Sequence, residues 1–254
     1  MTAAAREGGG GWRLETYERL PSTSDLCVAR ARAGEAEGLA IVAGQQTKGR
    51  GRGQRVWLSP PGNLALSALL RPRTPLAIAG QWALLAGVAL FEALAAIAPA
   101  LAVELRLKWP NDVMLTGAKL AGILIEGATD AAGHSDWLVL GFGANLVAAP
   151  AFPDRRTIAL AERMTPPAPI ALAERILGGL AAWGAVLRQS GFARIREAWL
   201  AYAHPLGTAL SVDCGGVKCH GYFAGLDEVG ALLLETGGGI RKFPTGEVML
   251  GASV

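Results

Sequence analysis

A segment rich in glycine and arginine, QQTKGRGRGQR, occupies residues 45–55. Such a segment contributes little to a packed core, because glycine has no side chain and arginine carries a permanent charge. Glycine also lets the backbone approach a ligand closely, and a guanidinium group matches carboxylate and phosphate oxygens. Two interpretations are equally favoured by this segment alone: a mobile loop that closes over an anionic small molecule, and a solvated basic turn.

The remainder of the chain is apolar enough to build a large core around such a loop. Of its 254 residues, 51% are hydrophobic and 18% are charged, which predicts one sizeable domain, or a large one plus a small one. A net charge of +3 is too small to indicate nucleic acid as the main partner. Cys27, Cys214 and Cys219 form no disulfide framework, and no apolar signal segment is evident, so we expect a cytoplasmic protein with reduced thiols.

Residues 76–103 form an apolar run that is long enough to span a bilayer. Gln81, Glu92 and Pro99 interrupt the run, and a carboxylate near the centre of a membrane helix costs about 2.5–3.5 kcal/mol on insertion scales. Gln81 and Glu92 lie about three helical turns apart and therefore share one face. We predict a mostly buried helix with one polar edge, packed on a sheet, and no membrane partner.

Apolar periodicity and turn residues predict two regions, one with both strands and helices and one with short strands only. In the first region, the predicted strands are residues 12–20, 39–43, 64–70, 103–108, 113–115, 119–126 and 137–142. The predicted helices are residues 26–32, the apolar run, 170–189 and 192–202, with a short helical piece around 158–163. The second region has short strands between glycine-rich turns, at residues 210–212, 217–222, 231–234, 241–243 and 247–250, which is typical of a small barrel or sandwich. We place the domain boundary between residues 1–205 and 206–254.

Several short segments could carry chemistry, and each also has a plain structural interpretation. The cluster at residues 22–25, STSD, could cap a helix or bind a ligand with its hydroxyl groups. Residues 108–112, KWPND, combine a cation, an amide and a carboxylate, but they also suit a tight turn. Lys119 begins an apolar strand, where a lone lysine usually points to solvent. The glycines of residues 141–145, GFGAN, allow close approach to a ligand or simply a turn.

Other kinds of site are disfavoured by the sequence. Cys214, Cys219 and His220 lie close together but do not make a full structural zinc set. The basic loop is not followed by Gly-Lys-Ser or Gly-Lys-Thr, so it is not a P-loop, and no G-x-S-x-G elbow occurs. The chemistry that remains uses positive charge and fixed hydrogen-bond donors to orient anionic reactants.

The order and spacing of these motifs resemble those of the bacterial biotin protein ligases. The matching segments are residues 22–24, the GRGR loop with Trp57, Ser59-Pro60, Gly62-Asn63, residues 108–112, residues 119–124 and residues 141–145. Any one motif is weak, but the ordered set is specific and covers nearly the whole chain. The resemblance implies an α+β catalytic domain of the class II aminoacyl-tRNA synthetase-like, biotinyl/lipoyl ligase type. It has a mixed sheet with helices packed on one face, and a small C-terminal SH3-like barrel follows it.

The resemblance also implies a two-step, ATP-dependent ligation. The biotin carboxylate attacks the α-phosphate of ATP to give biotinyl-5′-AMP and pyrophosphate, with Mg²⁺ accompanying the nucleotide. A lysine amine then attacks the adenylate and releases AMP. That lysine belongs to the biotin carboxyl carrier domain of acetyl-CoA carboxylase or a related carboxylase. A homodimer is left open.

Carried over residue by residue, the resemblance implies three overlapping groups of site residues. The catalytic group is Lys119, Arg52 and Asp112. The biotin-binding group is Ser22, Thr23, Ser24, Gln46, Gly49, Arg50, Gly51, Arg52, Lys119 and Gly122. The group around ATP and the adenylate is Arg52, Arg55, Trp57, Asn111, Asp112, Lys119 and Asn145. No protein metal ligand is expected.

Three departures from the family pattern affect these expectations. The family loop usually continues Arg-x-Gly-Arg, whereas here Arg52 is followed by Gly53-Gln54-Arg55, so the glycine has moved by one position. Ser24 stands where asparagine is frequent. Only about twenty residues precede Pro21, too few for the helix-turn-helix domain of some members, so no DNA binding is expected.

Three other functions stay open at this point. The first is a lipoate or octanoyl transfer protein of the same fold, although the GRGR loop together with residues 108–112 favours biotin. The second is a non-catalytic biotin or nucleotide sensor, which the intact Lys119 and loop disfavour. The third is a glycine-arginine RNA-binding segment, which would need repeats and more aromatic platforms than Trp57.

Overall fold

A mixed eight-stranded sheet forms the centre of the larger part of the molecule. The structure is a computed structural model and describes residues 4–8, 11–75, 78–153 and 155–251. The strands of this sheet are β1 (Ala4–Gly8), β2 (Trp12–Leu20), β3 (Leu39–Gln46), β4 (Leu64–Leu70), β5 (Leu105–Lys108), β6 (Asp112–Leu115), β7 (Ala118–Thr129) and β8 (Ser135–Ala144). Their order is β1-β2-β3-β4-β8-β7-β6-β5. Only the β2–β3 pair is parallel among the described pairs of this sheet, and a helix provides its crossover.

Helices cover both faces of this sheet. They are α1 (Thr23–Arg32), α2 (Gly80–Ile97), α3 (Pro169–Ser190) and α4 (Ala193–Tyr202). Leu39, Ile41 and Ala43 of β3 pack with residues of α1, whereas the alternating Ala40 and Val42 join the core shared with α2 and α3. The expectation that helices pack on one face is therefore wrong for α1. The apolar run of β3 leaves both of its faces hydrophobic, so both must be covered.

Helix α2 is the long apolar helix predicted from the sequence, and most of it lies inside the molecule. By length and composition alone, α2 and α3 could each cross a membrane. However, 72% of α2 is buried against the rest of the chain. Its carboxylate Glu92 accepts hydrogen bonds from Trp183 Nε1 at 2.8 Å and from the hydroxyl of Tyr202 at 3.1 Å. Glu92, on the polar edge of α2, is thus satisfied by α3 and α4.

The second sheet is antiparallel and has five strands. They are β9 (Ala209–Cys214), β10 (Val217–Leu226), β11 (Leu232–Thr236), β12 (Gly239–Phe243) and β13 (Glu247–Leu250), in the order β12-β11-β10-β9-β13. Its buried residues are continuous with the core of the larger part, and Trp109 Nε1 donates to the carbonyl of Gly230 at 3.2 Å. The boundary predicted at residues 205/206 stays a prediction, because one core runs across it.

Several elements begin or end away from the predicted positions. Helix α1 starts at Thr23 rather than at residue 26, because Ser22 caps it by accepting a hydrogen bond from Asp25 N at 3.2 Å. Strand β5 starts at Leu105 because Pro99–Glu104 form a 3₁₀ turn. The helical piece around 158–163 is a 3₁₀ turn at Leu160–Glu162. Strand β1, which the sequence did not predict, pairs with β2.

Candidate active site

A cavity of about 260 Å³ lies where the ends of several strands of the large sheet meet the second sheet. Its walls come from the start of α1, the end of β3, the basic loop, the β5–β6 turn, the start of β7 and the end of β8. The first residues of β13 complete it from the other sheet. No single segment could form this site, because each contributes only a few residues.

The basic loop is held to the body of the protein by Arg50. The Arg50 guanidinium contacts Asp25 Oδ1 at 2.6 Å and Glu126 Oε2 at 2.8 Å. Burial alone would lower its pKa, but the two carboxylates outweigh burial and raise the pKa of Arg50 above its ordinary value. Arg50 is therefore fully charged and anchors the loop to α1 and β7.

The displaced glycine of the loop occupies a position that requires a glycine-like backbone. Residues Arg52–Gln54 form a 3₁₀ turn in which Gly53 has φ 61° and ψ 34°. This left-handed conformation is unfavourable for most other residues. The turn is closed by a hydrogen bond from Gly51 N to the carbonyl of Arg55 at 2.7 Å. The one-residue shift in the sequence thus corresponds to a tight turn that points Arg52 and Arg55 the same way, toward the second sheet.

Arg52 and Arg55 join the loop to the start of β13. Both terminal nitrogens of Arg52 lie 3.2 Å from the carbonyl oxygen of Gly246, and Nη1 is 3.5 Å from Asn111 Oδ1. Arg55 forms an ion pair with Glu247, which lowers the pKa of that carboxyl. Burial lowers the pKa of Arg52, against the opposing effect of Asp112 and Glu247. Arg52 still remains cationic at neutral pH, so it brings a positive charge to the cavity wall.

A buried carboxylate between two lysines forms the centre of the cavity. Asp112 Oδ1 is 2.5 Å from Lys119 Nζ, and Asp112 Oδ2 is 3.2 Å from Lys108 Nζ. Burial would raise the pKa of Asp112, but Lys119 and then Lys108 outweigh it and hold that pKa below its ordinary value. Lys108 also donates to the carbonyl of Val248 at 3.1 Å. The carboxylate therefore fixes the Lys119 ammonium group inside the cavity.

Trp57 forms the wall opposite Lys119. The Lys119 ammonium lies 5.6 Å from the centroid of the Trp57 ring, within cation–π range. Trp57 Nε1 and Asn145 Oδ1 are buried polar atoms without a hydrogen-bond partner among the described residues. Both residues line the cavity, so a ligand could satisfy one donor and one acceptor there.

Thr23, Ser24 and Gln46 form one end of the cavity, which we call the floor, and they carry uncharged polar groups. Gln46 Oε1 accepts hydrogen bonds from Thr23 N at 2.8 Å and from Thr23 Oγ1 at 3.1 Å, and Gln46 Nε2 donates to Ser59 Oγ at 3.0 Å. Thr23 and Ser24 are nearly fully buried at the start of α1. The floor can recognise a neutral polar group by hydrogen bonds, whereas the end formed by Arg52, Arg55 and Lys119 is cationic.

The structure brings nearly all the predicted site residues to this one cavity. The residues that line it are Thr23, Ser24, Gln46, Arg50, Gly51, Arg52, Arg55, Trp57, Asn111, Asp112, Lys119, Gly122 and Asn145. Ser22 is instead the N-cap of α1, and Gly49 packs behind the loop, where an added Cβ would lie 2.3 Å from the Trp57 carbonyl oxygen. These two residues support the wall rather than form it.

Sequence reasoning missed the contribution of two distant segments. Gly246, just before β13, and Glu247 and Val248 at its start enter from one segment. Phe152 and Arg155 enter from the loop after β8, with the Arg155 guanidinium 4.1 Å from the Phe152 ring centroid. Neither segment has a motif of its own, and both reach the cavity only through tertiary packing. The carbonyl of Gly246 gives no sequence signal at all, since any residue supplies one.

Comparison with known proteins agrees with this geometry. Residues 17–145 match the Biotin/lipoate A/B protein ligase family, and residues 213–251 match the Biotin protein ligase C terminal domain. The biotin–[acetyl-CoA-carboxylase] ligase of Paracoccus denitrificans is 37% identical over 222 residues, which covers 83% of this chain and 90% of that protein. The chain belongs to the biotin protein ligase family. The resemblance drawn from motif order is therefore confirmed.

Further relatives extend the match over nearly the whole chain. The biotin–[acetyl-CoA-carboxylase] ligase of Mycobacterium tuberculosis is 32% identical over 247 residues, covering 95% of this chain and 90% of that one. The biotin protein ligase of Aquifex aeolicus, solved in complex with biotin and ATP, has a TM-score of 0.80 and 29% identity. That match covers 94% of this chain and 99% of the Aquifex chain. The predicted fold class, a biotin protein ligase catalytic domain with a mixed sheet and packed helices followed by a small C-terminal β domain, is confirmed; that β domain is the five-stranded antiparallel sheet.

Proposed function

We propose that this protein is an ATP-dependent biotin protein ligase. It activates biotin to biotinyl-5′-AMP and transfers the biotinyl group to a lysine of the biotin carboxyl carrier protein of a biotin-dependent carboxylase. The observation that carries this function is the polarity of the cavity. Its floor holds neutral hydrogen-bonding groups, its mouth holds Arg52 and Arg55, and Lys119 stands between them, fixed by Asp112.

The floor suits the ring system of biotin. Thr23, Ser24 and Gln46 offer hydroxyl and amide groups that are already ordered by mutual hydrogen bonds. A ligand that satisfies ordered groups loses little entropy on binding. The valeryl chain would then run toward Lys119, so that the carboxylate reaches the ammonium group.

The cationic end, formed by Lys119, Arg52 and Arg55, suits the reacting carboxylate and the α-phosphate. In the first step, a biotin carboxylate oxygen attacks phosphorus, and pyrophosphate leaves. Negative charge that develops on the phosphoryl oxygens would be stabilised by Lys119 and Arg52, which both line the cavity. Trp57 and Asn145 would hold the nucleotide through their unpartnered buried atoms. In the second step, an acceptor lysine amine attacks the acyl carbon, and AMP leaves.

Loop closure would protect the intermediate. The adenylate is a mixed anhydride that water hydrolyses, and the ordered contacts from Arg52 to Gly246 and from Arg55 to Glu247 close one side of the cavity. The same contacts place the second sheet in the wall of the site. We therefore assign that sheet a role in retaining the nucleotide.

Magnesium would arrive with the nucleotide rather than sit in a protein cage. Among the residues that the structure describes, no group of three or more His, Cys, Asp or Glu could hold a metal ion. Mg²⁺ keeps several waters and is commonly bound through one or two carboxylates together with substrate phosphates. Bound in this way, it would neutralise phosphate charge; the protein steps above require only the side chains named.

The reaction and the relatives indicate the partner, and the free cysteines indicate the compartment. The acceptor is a folded carrier domain that presents a lysine to the open side of the cavity, and acetyl-CoA carboxylase is the expected source, given the named relatives. We place the enzyme in the cytoplasm, where its three cysteines remain free thiols, as they are in the structure.

The experiment that tests this function is ATP–pyrophosphate exchange dependent on the acid supplied. Exchange should occur with biotin and be at least about a hundredfold slower with lipoate or octanoate, because those acids cannot satisfy the polar floor. Exchange supported better by lipoate or octanoate would identify a lipoyl-type ligase. Binding of biotin and ATP without exchange would identify a sensor.

A further inference from the structure

Ser67 is a polar residue in the middle of a largely apolar sheet face, and it has no role in the reaction steps proposed above. It lies on β4 between Ile41 of β3 and Gly141 of β8, and its exposed fraction is 0%. It does not line the cavity. A hydroxyl at such a position is unfavourable unless it is hydrogen-bonded, so its partners indicate its role.

Ser67 stands directly behind two hydroxyl groups that do line the cavity. Its Oγ lies 2.8 Å from Thr23 Oγ1 and 3.1 Å from Ser24 Oγ. Gly141 leaves the space for this arrangement, since a Cβ at that position would lie 2.7 Å from Ser24 Oγ. Ser67 therefore links the side chains of two successive residues at the start of α1.

Donor counting fixes the direction of these hydrogen bonds. The backbone N–H of Thr23 can only donate, so the Gln46 atom that faces it at 2.8 Å must be the amide oxygen. Thr23 Oγ1 lies 3.1 Å from the same oxygen and donates its single proton there. Thr23 Oγ1 must then accept from Ser67.

The direction continues from Ser67 to the second hydroxyl. Because Ser67 has donated its only proton to Thr23, it accepts the proton of Ser24. Ser24 and Thr23 consequently have only lone pairs left for the cavity. These two hydroxyl groups of the floor therefore present acceptors to the cavity.

We propose that Ser67 is a positioning residue that makes the hydroxyl groups of Thr23 and Ser24 acceptors and thereby selects a substrate with N–H donors. This inference rests on the proposed function and sharpens its specificity. A cyclic urea carries two N–H groups and matches the two acceptors. A dithiolane ring or an alkyl chain carries none and would leave buried acceptors unpaired, which is the strong form of discrimination.

The test compares Ser67→Ala with Ser211→Ala in biotin-dependent ATP–pyrophosphate exchange. Ser211 is a matched control, because it is 1% exposed and its Oγ has no hydrogen-bond partner among the described residues. Ser67→Ala should raise the KM for biotin roughly tenfold and change kcat by less than about twofold, as expected for the loss of ground-state binding. Ser211→Ala should leave both constants within about twofold of the starting protein. An unchanged KM in Ser67→Ala, or an equal fall in kcat, would overturn the inference.

A second measurement separates positioning from a general packing defect. The Ser67→Ala change is repeated in a Thr23→Ala/Ser24→Ala background, where the groups that it orients are absent. If Ser67 acts through them, the further rise in KM should be less than about twofold, because the effects of coupled residues do not add. A further tenfold rise would show that Ser67 acts independently and would also overturn the inference.

Failure of the inference and failure of the function give different results. If the unmodified protein shows no biotin-dependent exchange, the proposed function fails before Ser67 is considered. If the unmodified protein is active and Ser67→Ala behaves like Ser211→Ala, only the inference fails. A Ser67→Cys variant, which keeps the size and a weak donor, should have a KM between those of the starting protein and Ser67→Ala.

Discussion

Gly143 lies directly against the indole of Trp57, and a Cβ added to Gly143 would meet Trp57 Cε2 at 2.3 Å. Real Cβ atoms do not approach other atoms so closely, so the ring occupies its place only because residue 143 has no side chain. Gly143 pairs with Ala65 of β4 and with Gly122 of β7, so its backbone cannot easily retreat. The position of the cavity wall thus depends on one missing methyl group.

Gly143→Ala should displace Trp57 and weaken the use of ATP. We expect kcat/KM for ATP to fall at least about tenfold, with a loss of stability of ~1–3 kcal/mol from overpacking. Steady-state exchange kinetics and urea unfolding measure the two effects. Gly178→Ala is the matched control: Gly178 lies in α3 with nothing within 4 Å of an added Cβ. Its replacement should stabilise the helix by up to ~1 kcal/mol and leave activity unchanged. Equal kinetics for both variants would contradict the role of Gly143.

Lys119→Ala should remove most of the adenylation activity. The side chain is held inside the cavity by Asp112, and we expect exchange to fall about 10²–10³-fold, the size seen when one preorganised donor is lost. Lys48→Ala provides the control, because Lys48 is an exposed residue of the same basic loop that does not line the cavity. A similar decline in both variants would indicate that general loop charge, rather than the fixed position of Lys119, drives the reaction.

Asp112→Asn should affect stability as well as activity. Removing the carboxylate leaves Lys119 and Lys108 close together without their shared counter-charge, at a cost of about 3 kcal/mol for a buried pair that loses one partner. Urea unfolding at neutral pH measures the change. A stability equal to that of the starting protein would show that the two lysines are solvated well enough to need no carboxylate.

Arg52→Gly should release the reactive intermediate. Arg52 is the loop residue that bonds the carbonyl of Gly246, so its loss opens the loop on the side of the second sheet. We expect free biotinyl-5′-AMP to accumulate in solution and to label lysines of unrelated proteins. Chromatography of quenched reactions measures the released adenylate. Retention equal to that of the starting protein would argue against closure by this residue.

The stability of the protein should fall in mild acid because of His204. Burial, together with the nearby Arg106 and Lys108, lowers the pKa of His204 from 6.5 to about 4. Between pH 6.5 and about 4, His204 is therefore protonated in the unfolded chain but neutral in the folded protein. The stabilising effect of a neutral His204 is complete above pH 6.5 and is lost as the pH falls toward about 4.

A His204→Gln variant tests this pH dependence, because glutamine cannot titrate. The free energy of unfolding of the starting protein, relative to this variant, should decline as the pH falls from 6.5 to about 4. His220→Gln, at an exposed position on β10, is the control and should follow the starting protein. Parallel curves for the starting protein and His204→Gln would show that His204 is not responsible.

Much of the site could be predicted from the sequence because its residues lie in short local motifs. The hydroxyl cluster around Thr23, the basic loop and the segment around Asp112 are each weak motifs, but their order along the chain indicates the family. Composition also predicted the buried helix α2, since Gln81 and Glu92 make a membrane span unfavourable.

What escaped prediction depends on contacts between distant segments. The apolar residues of β3 were visible, but the sequence does not say that α1 covers one face while α2 and α3 cover the other. Ser67 looks like an ordinary strand residue until its distance to Thr23 is known. The Gly53 shift raised doubt about the loop, and only the backbone φ of 61° shows the turn that it makes.

Transfer of biotin to a carrier domain is the complete reaction of the proposed enzyme and can be measured directly. The protein is incubated with biotin, Mg-ATP and the biotin carboxyl carrier domain of acetyl-CoA carboxylase, and the carrier is analysed by intact mass and peptide mapping. We predict that one biotinyl group appears on one carrier lysine, that AMP and pyrophosphate form in equal amounts, and that Lys119→Ala slows product formation about 10²–10³-fold. An unmodified carrier in the presence of an active, folded protein, or modification by lipoate or octanoate instead, would contradict the account.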